Sequence, residues 1–384
     1  MSASVSATPV RLFTPGPLNT SESVRQAATQ DLGSRTPEAS ALTHSLCQAL
    51  LELAGCDNRW CATPLQGSGT FAVEAMLTSL LAPDDQLLII ENGVYSARMA
   101  DICQHQGINH SVLSLPSQRG FDLEIISETV AQRPGITHLA AVHFETGLGV
   151  LNDINALLHL AETLGCAVLV DAISTFGVLP IDYQSPALVA VAVSANKCLH
   201  GIPGVAFVLS QTAALNRDIP PRSLSLDLQA QARILAHSGQ WRFTPPLQVM
   251  RALQQAVTEY QEQGGQAARH RCYQARMTHL LKGMQALGFE PVIEPQYRAP
   301  LIVTLAPSSG RQVNIQELNA FLLDRQLVIY PSQLSTPHSF RVGVMGELTM
   351  KNLDELLEAF QLYLDEALTR QSPQSPSQEI PQCP

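Results

Sequence analysis

The chain has 384 residues, of which 45% are apolar and only 15% charged, with a formal net charge of -10 and eight cysteines. That length exceeds one ordinary core, and the low charged fraction suits a chain with a sizeable subunit interface. The acidic balance, without a Lys/Arg cluster or a basic helix face, excludes nucleic acid and anionic membrane as partners. No C-x-x-C pair and no ligand-spaced His/Cys cluster occurs, which argues against structural zinc, any other metal and a disulfide framework.

The N-terminus MSASVSATPV lacks the basic region and apolar run of a secretory signal, and no apolar segment reaches the length of a membrane span, so a cytoplasmic location is expected. Further along, QLLII (86–90), THLAAVH (137–143), CAVLV (166–170), ALVAVAV (187–193) and VAFVL (205–209) read as buried strands. Between them FAVEAMLTSLL, SARMADICQHQ and INALLHLAETLG have helical period with one apolar face. This order predicts an α/β fold with a mostly parallel sheet covered on both sides. After about residue 215 long helices take over, PLQVMRALQQAVTEYQEQ and AARHRCYQARMTHLLKGMQALG. They are followed by LIVTLAP, a helix at 315–324, LVIYP, SFRVGV and a last helix near 350–367. The expected division is an N-terminal arm (1–20), a large domain (21–264), a smaller α+β domain (265–368) and a Pro/Ser/Gln tail (369–384) without apolar periodicity.

One stretch invites a wrong assignment. QGSGTFAVEAML matches G-x-G-x-x-A at Gly67, Gly69 and Ala72, and Glu91 closes the next strand at the distance a dinucleotide fingerprint requires. The strand leading in, RWCATPL, carries Trp, Arg and Pro where a central parallel strand needs an unbroken aliphatic run, so nicotinamide binding is disfavoured. What remains is general: glycines let the backbone approach a ligand, and free N–H groups at a helix start attract phosphate, with Ser68 and Thr70 adding hydroxyls.

Lys197 poses the sharper question, because VAVSANKCLHGIPGV surrounds it with small and apolar residues. Asp171 ends the strand CAVLV, and Lys197 follows the end of ALVAVAV, so both are delivered to the sheet edge where ligands of open α/β sheets gather. Singly, the aspartate reads as a helix cap and the lysine as a solvated loop residue. Together, downstream of a glycine-rich loop, they suggest pyridoxal phosphate: an amine to bond its aldehyde and a carboxylate to keep its ring nitrogen protonated.

From about residue 11 to 367 the chain resembles the class V, fold type I pyridoxal phosphate aminotransferases. The stretches that carry the resemblance are LFTPGPLNTSESVRQA, LQGSGTFAVEAML, NGVYSARM, HFET, VDAISTFGVLPID, SANKCLHGIPGVAFV, RSLSLDL, GQWRFTPP, GGQAARHRCYQ and VIYPSQLSTPHSFRVGVMGE. The resemblance implies a large domain with a mostly parallel seven-stranded sheet, and pyridoxal 5'-phosphate held covalently by Lys197 with Asp171 on the ring nitrogen. It assigns the cofactor phosphate to Gly67, Ser68 and Gly69, ring stacking to Tyr95, further cofactor contacts to Thr146 and Ser194, and the substrate to Gly16 and Arg341. Thr244 would reach the phosphate site of a neighbouring subunit, which implies a homodimer with shared active sites. From the residues alone, Tyr95 reads equally as a helix start packed on the core, and Arg341 as a solvent-facing strand residue.

The implied activity transfers the amino group of 2-aminoethylphosphonate to pyruvate, with phosphonoacetaldehyde and alanine as products; the partners are then a small amino donor and a 2-oxo acid. Two departures from the family pattern bear on the donor. HFETGLG stands where a hydroxyl-rich H-S-E-T-T-T-G segment is usual, and DLGSRTPEAS (31–40) looks more like the R-S-P-E of alanine:glyoxylate relatives. A class V enzyme with another small donor, or a non-transaminating cofactor-binding homologue, is the alternative. Cysteine desulfurase chemistry is disfavoured, because residues 320–350 contain no cysteine.

Overall fold

The computed structural model describes residues 10–308, 313–333 and 338–371. Seven strands form the main sheet: β1 (Trp60–Gly67), β2 (Leu87–Glu91), β3 (His110–Ser114), β4 (His138–Val142), β5 (Ala167–Asp171), β6 (Leu188–Ser194) and β7 (Gly204–Gln211). Their order is β1-β7-β6-β5-β4-β2-β3, and every pair from β6 to β3 is parallel. Only β7 is reversed, pairing antiparallel with β6 and β1. Trp60–Gly67 is therefore an edge strand, the place in a sheet where a proline such as Pro64, opposite Phe207, is tolerated.

The sheet strands are apolar without interruption because both faces are covered. Leu88 and Ile90, Val168 and Val170, and Val191 and Val193 enter one core, with α1 (Pro37–Ala54), α4 (Leu123–Gln132), α5 (Ile154–Leu164) and α7 (Leu247–Glu262). Leu87, Ile89, Leu169, Ala190 and Ala192 face the opposite core. There α2 (Gly69–Leu80), α3 (Val94–His105) and α6 (Leu228–Ser238) lie on the sheet. The alanines at 190 and 192 leave room for α2 over the sheet centre, which brings its N-terminus to the carboxyl ends of β5 and β6.

A second sheet is antiparallel, with β8 (Phe289–Pro291), β9 (Ile302–Pro307), β10 (Tyr330–Pro331) and β11 (Phe340–Gly343) in the order β8-β9-β11-β10. Its core includes Phe289, Phe340 and Phe360, whose rings meet pairwise at 5.3–5.6 Å, together with α8 (Gly265–Ala286), α9 (Ile315–Leu323) and α10 (Met350–Gln371). Burial of each such ring stabilises by roughly 1.5–3 kcal/mol. Phe13 and Leu18, from the N-terminal arm, belong to this same core.

Two expectations need correction. LVIYP is two short strands rather than one: Leu327–Val328 pairs parallel with Arg11–Leu12, and Tyr330–Pro331 pairs with β11, because neighbours lie on opposite edges of the segment. The last helix runs on to Gln371, and the remainder of the expected tail lies outside the described residues. In keeping with the disfavoured dinucleotide reading, Glu91 accepts from the Ser114 hydroxyl at 3.2 Å and does not line the cavity beside Gly69.

Candidate active site

Where β5 and β6 end and α2 begins, a cavity of about 180 Å³ is lined by Ser68, Gly69, Thr70, Tyr95, Arg98, Phe144, Asp171, Ile173, Asn196 and Lys197, with Val73, Met99, Val142 and Ser174 completing the wall. Asp171 and Lys197 are thus delivered to one space by neighbouring parallel strands, as the apolar runs predicted. The N-cap of α2 is Ser68, whose side chain makes no capping bond. Its hydroxyl and the first amides of a helix with positive N-terminal polarity are left to the cavity.

Asp171 is 7% exposed. Its Oδ1 accepts from the Ile173 amide at 2.9 Å, and no ion pair reaches it among the described residues. Burial pushes its carboxyl up to about 7, with the charge of Glu145 adding to the rise and Lys197 opposing it. Such a carboxyl accommodates a proton donor placed against it. Burial likewise lowers the Lys197 ammonium from the usual lysine range, against the opposing pull of Cys198 and Asp171. Lys197 Nζ donates to the Pro15 carbonyl at 2.6 Å.

Gly16 crosses directly over that amine: a Cβ there would meet Nζ and the last two methylenes of Lys197, and its φ of +129° favours glycine. Tyr95 is half-buried at the first turn of α3, on the cavity wall. Its helix start is fixed by Glu145, fully buried, whose Oε2 accepts from the Tyr95 amide at 3.1 Å and whose Oε1 accepts from the Ser96 amide and hydroxyl, both at 2.7 Å. A carboxylate on free helix amides is favourable, yet burial still raises the Glu145 carboxyl.

Other expected residues stand further back. Gly67 ends β1 one step before Ser68. The Ser194 hydroxyl donates to Asn196 Oδ1 at 2.7 Å and touches the cavity only through that neighbour. Thr146 and Arg341 do not line the cavity, but they meet each other: Arg341 Nη1 donates to the Thr146 carbonyl at 2.8 Å and its Nε to the Pro331 carbonyl at 3.1 Å. Arg341 is 6% exposed and has no carboxylate partner among the described residues, so it is not the solvent-facing strand residue its position alone suggests. Thr244 is exposed, as is Phe243 beside it.

Arg98 was not singled out in the sequence. It lies one turn beyond Tyr95, its guanidinium carbon 5.0 Å from that ring's centre, and its Nη1 donates to Thr70 Oγ1 at 3.3 Å. The i, i+3 spacing in NGVYSARM was the available signal. Of the departures, Phe144 lines the cavity and Gly147 lies beside Gln333. Arg35 turns away to the Gln240 side chain and the Trp241 carbonyl.

A model of the family Aminotransferase class-V matches residues 65–330. The chain belongs to the class V aminotransferases. Among curated members, the 2-aminoethylphosphonate–pyruvate transaminase of Burkholderia thailandensis is 39% identical over 338 residues, covering 88% of this chain and 92% of that one. The enzyme of the same name from Pseudomonas entomophila is 36% identical over 349 residues, covering 91% and 95%. This class V aminotransferase also shares its fold with an alanine–glyoxylate aminotransferase from Nostoc sp., at TM-score 0.86 and 23% identity over 95% of this chain and 98% of that one. A pyridoxamine-pyruvate aminotransferase from Mesorhizobium loti gives 0.84 and 22% over 94% and 93%.

Proposed function

We propose that the chain is a pyridoxal 5'-phosphate-dependent transaminase that moves the amino group of 2-aminoethylphosphonate to pyruvate, giving phosphonoacetaldehyde and L-alanine. The observation that carries this is the placement of Lys197 and Asp171 on adjacent strand ends around one cavity, with a helix N-terminus at its far side.

The residues fit the cofactor. Gly16 lets the backbone pass against the lysine amine where any side chain would collide with it, and a buried Asp171 carboxyl held by one amide has room for a ring N–H. Bound there, the cofactor supplies an electron sink for the substrate carbon. Ser68, Gly69 and the first amides of α2 hold its phosphate, with Arg98 and Thr70 at the rim adding a cation and a hydroxyl. Asp171 holds a proton against the ring nitrogen, and the flat face of Tyr95 fixes the ring plane. Lys197, whose ammonium burial lowers from the usual lysine range, accepts and returns the proton of the substrate carbon. Arg341 presents a planar fork to the substrate's phosphonate or carboxylate, a match that lysine lacks. Exposed Thr244 and Phe243 support a homodimer in which this loop completes the partner's phosphate site.

A second donor remains a specific alternative, because Phe144 and Gly147 replace hydroxyl residues beside the site. Absorption spectra taken before and after adding 2-aminoethylphosphonate test cofactor and donor together: loss of the yellow colour followed by alanine formation with pyruvate is expected. Turnover of another small amine, with none of aminoethylphosphonate, would reject the donor and keep the chemistry.

A further inference from the structure

The turn that carries the lysine is tied to the C-terminal sheet by a buried histidine that the transfer chemistry does not use. His200 follows Lys197 by three residues, donates its amide to the Lys197 carbonyl at 2.9 Å and holds a φ of 62°, uncommon outside glycine. Its Nε2 lies 2.5 Å from the Tyr273 hydroxyl, and the Gly346 amide donates into the pair, 3.2 Å from Nε2 and 3.3 Å from the phenol oxygen. The Gly346 amide can only donate, so Nε2 is the acceptor of that bond, which suits a neutral imidazole whose lone pair it shares with the Tyr273 hydroxyl. Burial and the charges of Arg269 and Arg276 hold His200 in that form.

Everything around this junction is pinned. Arg269 Nη1 donates to the Cys198 carbonyl at 2.9 Å, Cys198 Sγ lies 3.8 Å from Met345 Sδ, and Arg276 binds the carbonyls of Val344, Gly346 and Leu348. Gly346 is five residues from Arg341. A second path runs from Lys197 Nζ to the Pro15 carbonyl and, two residues back, from the Phe13 carbonyl to the Gly343 amide at 2.9 Å. The lysine and the arginine strand are therefore connected from two directions, one through the side-chain amine and one through His200.

We propose that His200 is a positioning residue: with Tyr273 and the Gly346 amide it locks the lysine turn to the end of the Arg341 strand, fixing the distance between the reacting amine and the substrate's anionic group. The proposal rests on the reading above, in which Lys197 holds the cofactor and Arg341 the substrate anion. The charged or titratable groups whose fields reach the amine are Asp171, Cys198 and Arg341; those acting on His200 are Arg269 and Arg276, with Tyr273 in hydrogen-bond contact.

Three variants of the full-length holoenzyme test it: His200→Leu removes the acceptor, Tyr273→Phe removes only a hydroxyl, and His200→Gln returns a polar atom near the position of Nε2. His200→Leu and Tyr273→Phe are expected to retain cofactor and to lower kcat by about ten- to a hundredfold. Both should also move the pH midpoint of the cofactor's visible band by about half a unit or more, since the surroundings of the Lys197 nitrogen change. His200→Gln is expected to recover most of both. Variants that keep the wild-type midpoint and kcat, whatever their thermal stability, overturn the proposal. So does a glutamine that restores neither, because bulk rather than the acceptor is then at work. If the wild-type protein shows no visible band and no cofactor on Lys197, the underlying assignment fails instead, and that result is seen before any variant is made.

Discussion

Lys197 Nζ and the Pro15 carbonyl stand 2.6 Å apart, so the segment before Leu18 lies against an amine that also lines the cavity. Gly16, the next residue, makes that approach possible. Gly16→Ala puts a methyl group on the amine and strains a φ of +129°. The expected outcome is a folded protein that retains little cofactor and loses about a hundredfold or more of its activity, measured by visible absorbance per chain and alanine production.

Replacement of Lys197 itself separates charge from chemistry. Lys197→Arg keeps a cation in the turn, but a guanidinium does not give up its proton in proteins. Activity is expected to fall by about a thousandfold or more while phosphate-end binding persists. Borohydride reduction followed by peptide mapping should label residue 197 in the wild type and nothing in the variant.

Asp171 gives a pH dependence whose sign follows from burial. Its carboxyl titrates at about 7 in the fold against an ordinary 3.8, so the cofactor-free folded state binds the extra proton. Stability from this group is fully present below the ordinary value and falls as pH rises through 7. The difference corresponds to on the order of 4 kcal/mol between the two forms. Asp171→Asn is expected to flatten the fall between pH 4 and pH 8 in the cofactor-free protein, read by urea unfolding, and to lower holoenzyme kcat by roughly a hundredfold or more. An unchanged pH profile would assign the dependence to other groups.

How far the sequence could be read depends on what each residue's environment leaves in its neighbours. Leu87 to Ile90 or Val191 to Val193 are apolar on both sides because both faces are covered, and that pattern is visible without coordinates. β3 was not, because HSVLS is a half-exposed edge strand with no apolar run. Asp171 and Lys197 were legible because strand ends in this class of sheet converge. Arg98 was not, since an exposed helical arginine that turns its guanidinium toward Tyr95 has the same sequence as one facing water. The Pro15 carbonyl left no trace, being backbone, and the His200 junction joins residues 73 positions apart from His200 to Tyr273.

Glu145 makes the start of α3 dependent on a single buried carboxylate. In Glu145→Gln one of the two oxygens becomes an N–H₂ group, a donor that accepts from nothing, so either the Tyr95 amide or the Ser96 groups lose their acceptor. Loss of one such bond in a buried setting costs about 1–3 kcal/mol. The variant is expected to melt a few degrees lower and, because Tyr95 sits on the freed turn, to bind cofactor several-fold more weakly. Calorimetry and cofactor titration measure the two effects separately.

Arg341 carries the last prediction because its geometry is already half committed. Two of its donors are spent on the carbonyls of Thr146 and Pro331, so the guanidinium plane is set before substrate arrives while the Nη2 donors stay uncommitted. A lysine there keeps the charge but has no fork to satisfy two backbone oxygens and an anion together. Arg341→Lys is expected to raise KM for the amino donor by roughly ten- to a hundredfold while leaving cofactor content and the visible spectrum intact. Since the same side chain would serve the carboxylate of pyruvate, KM for the acceptor should rise with it. A rise confined to the donor would place the acceptor's carboxylate on another cation, and Arg98 at the cavity rim is the one to replace next.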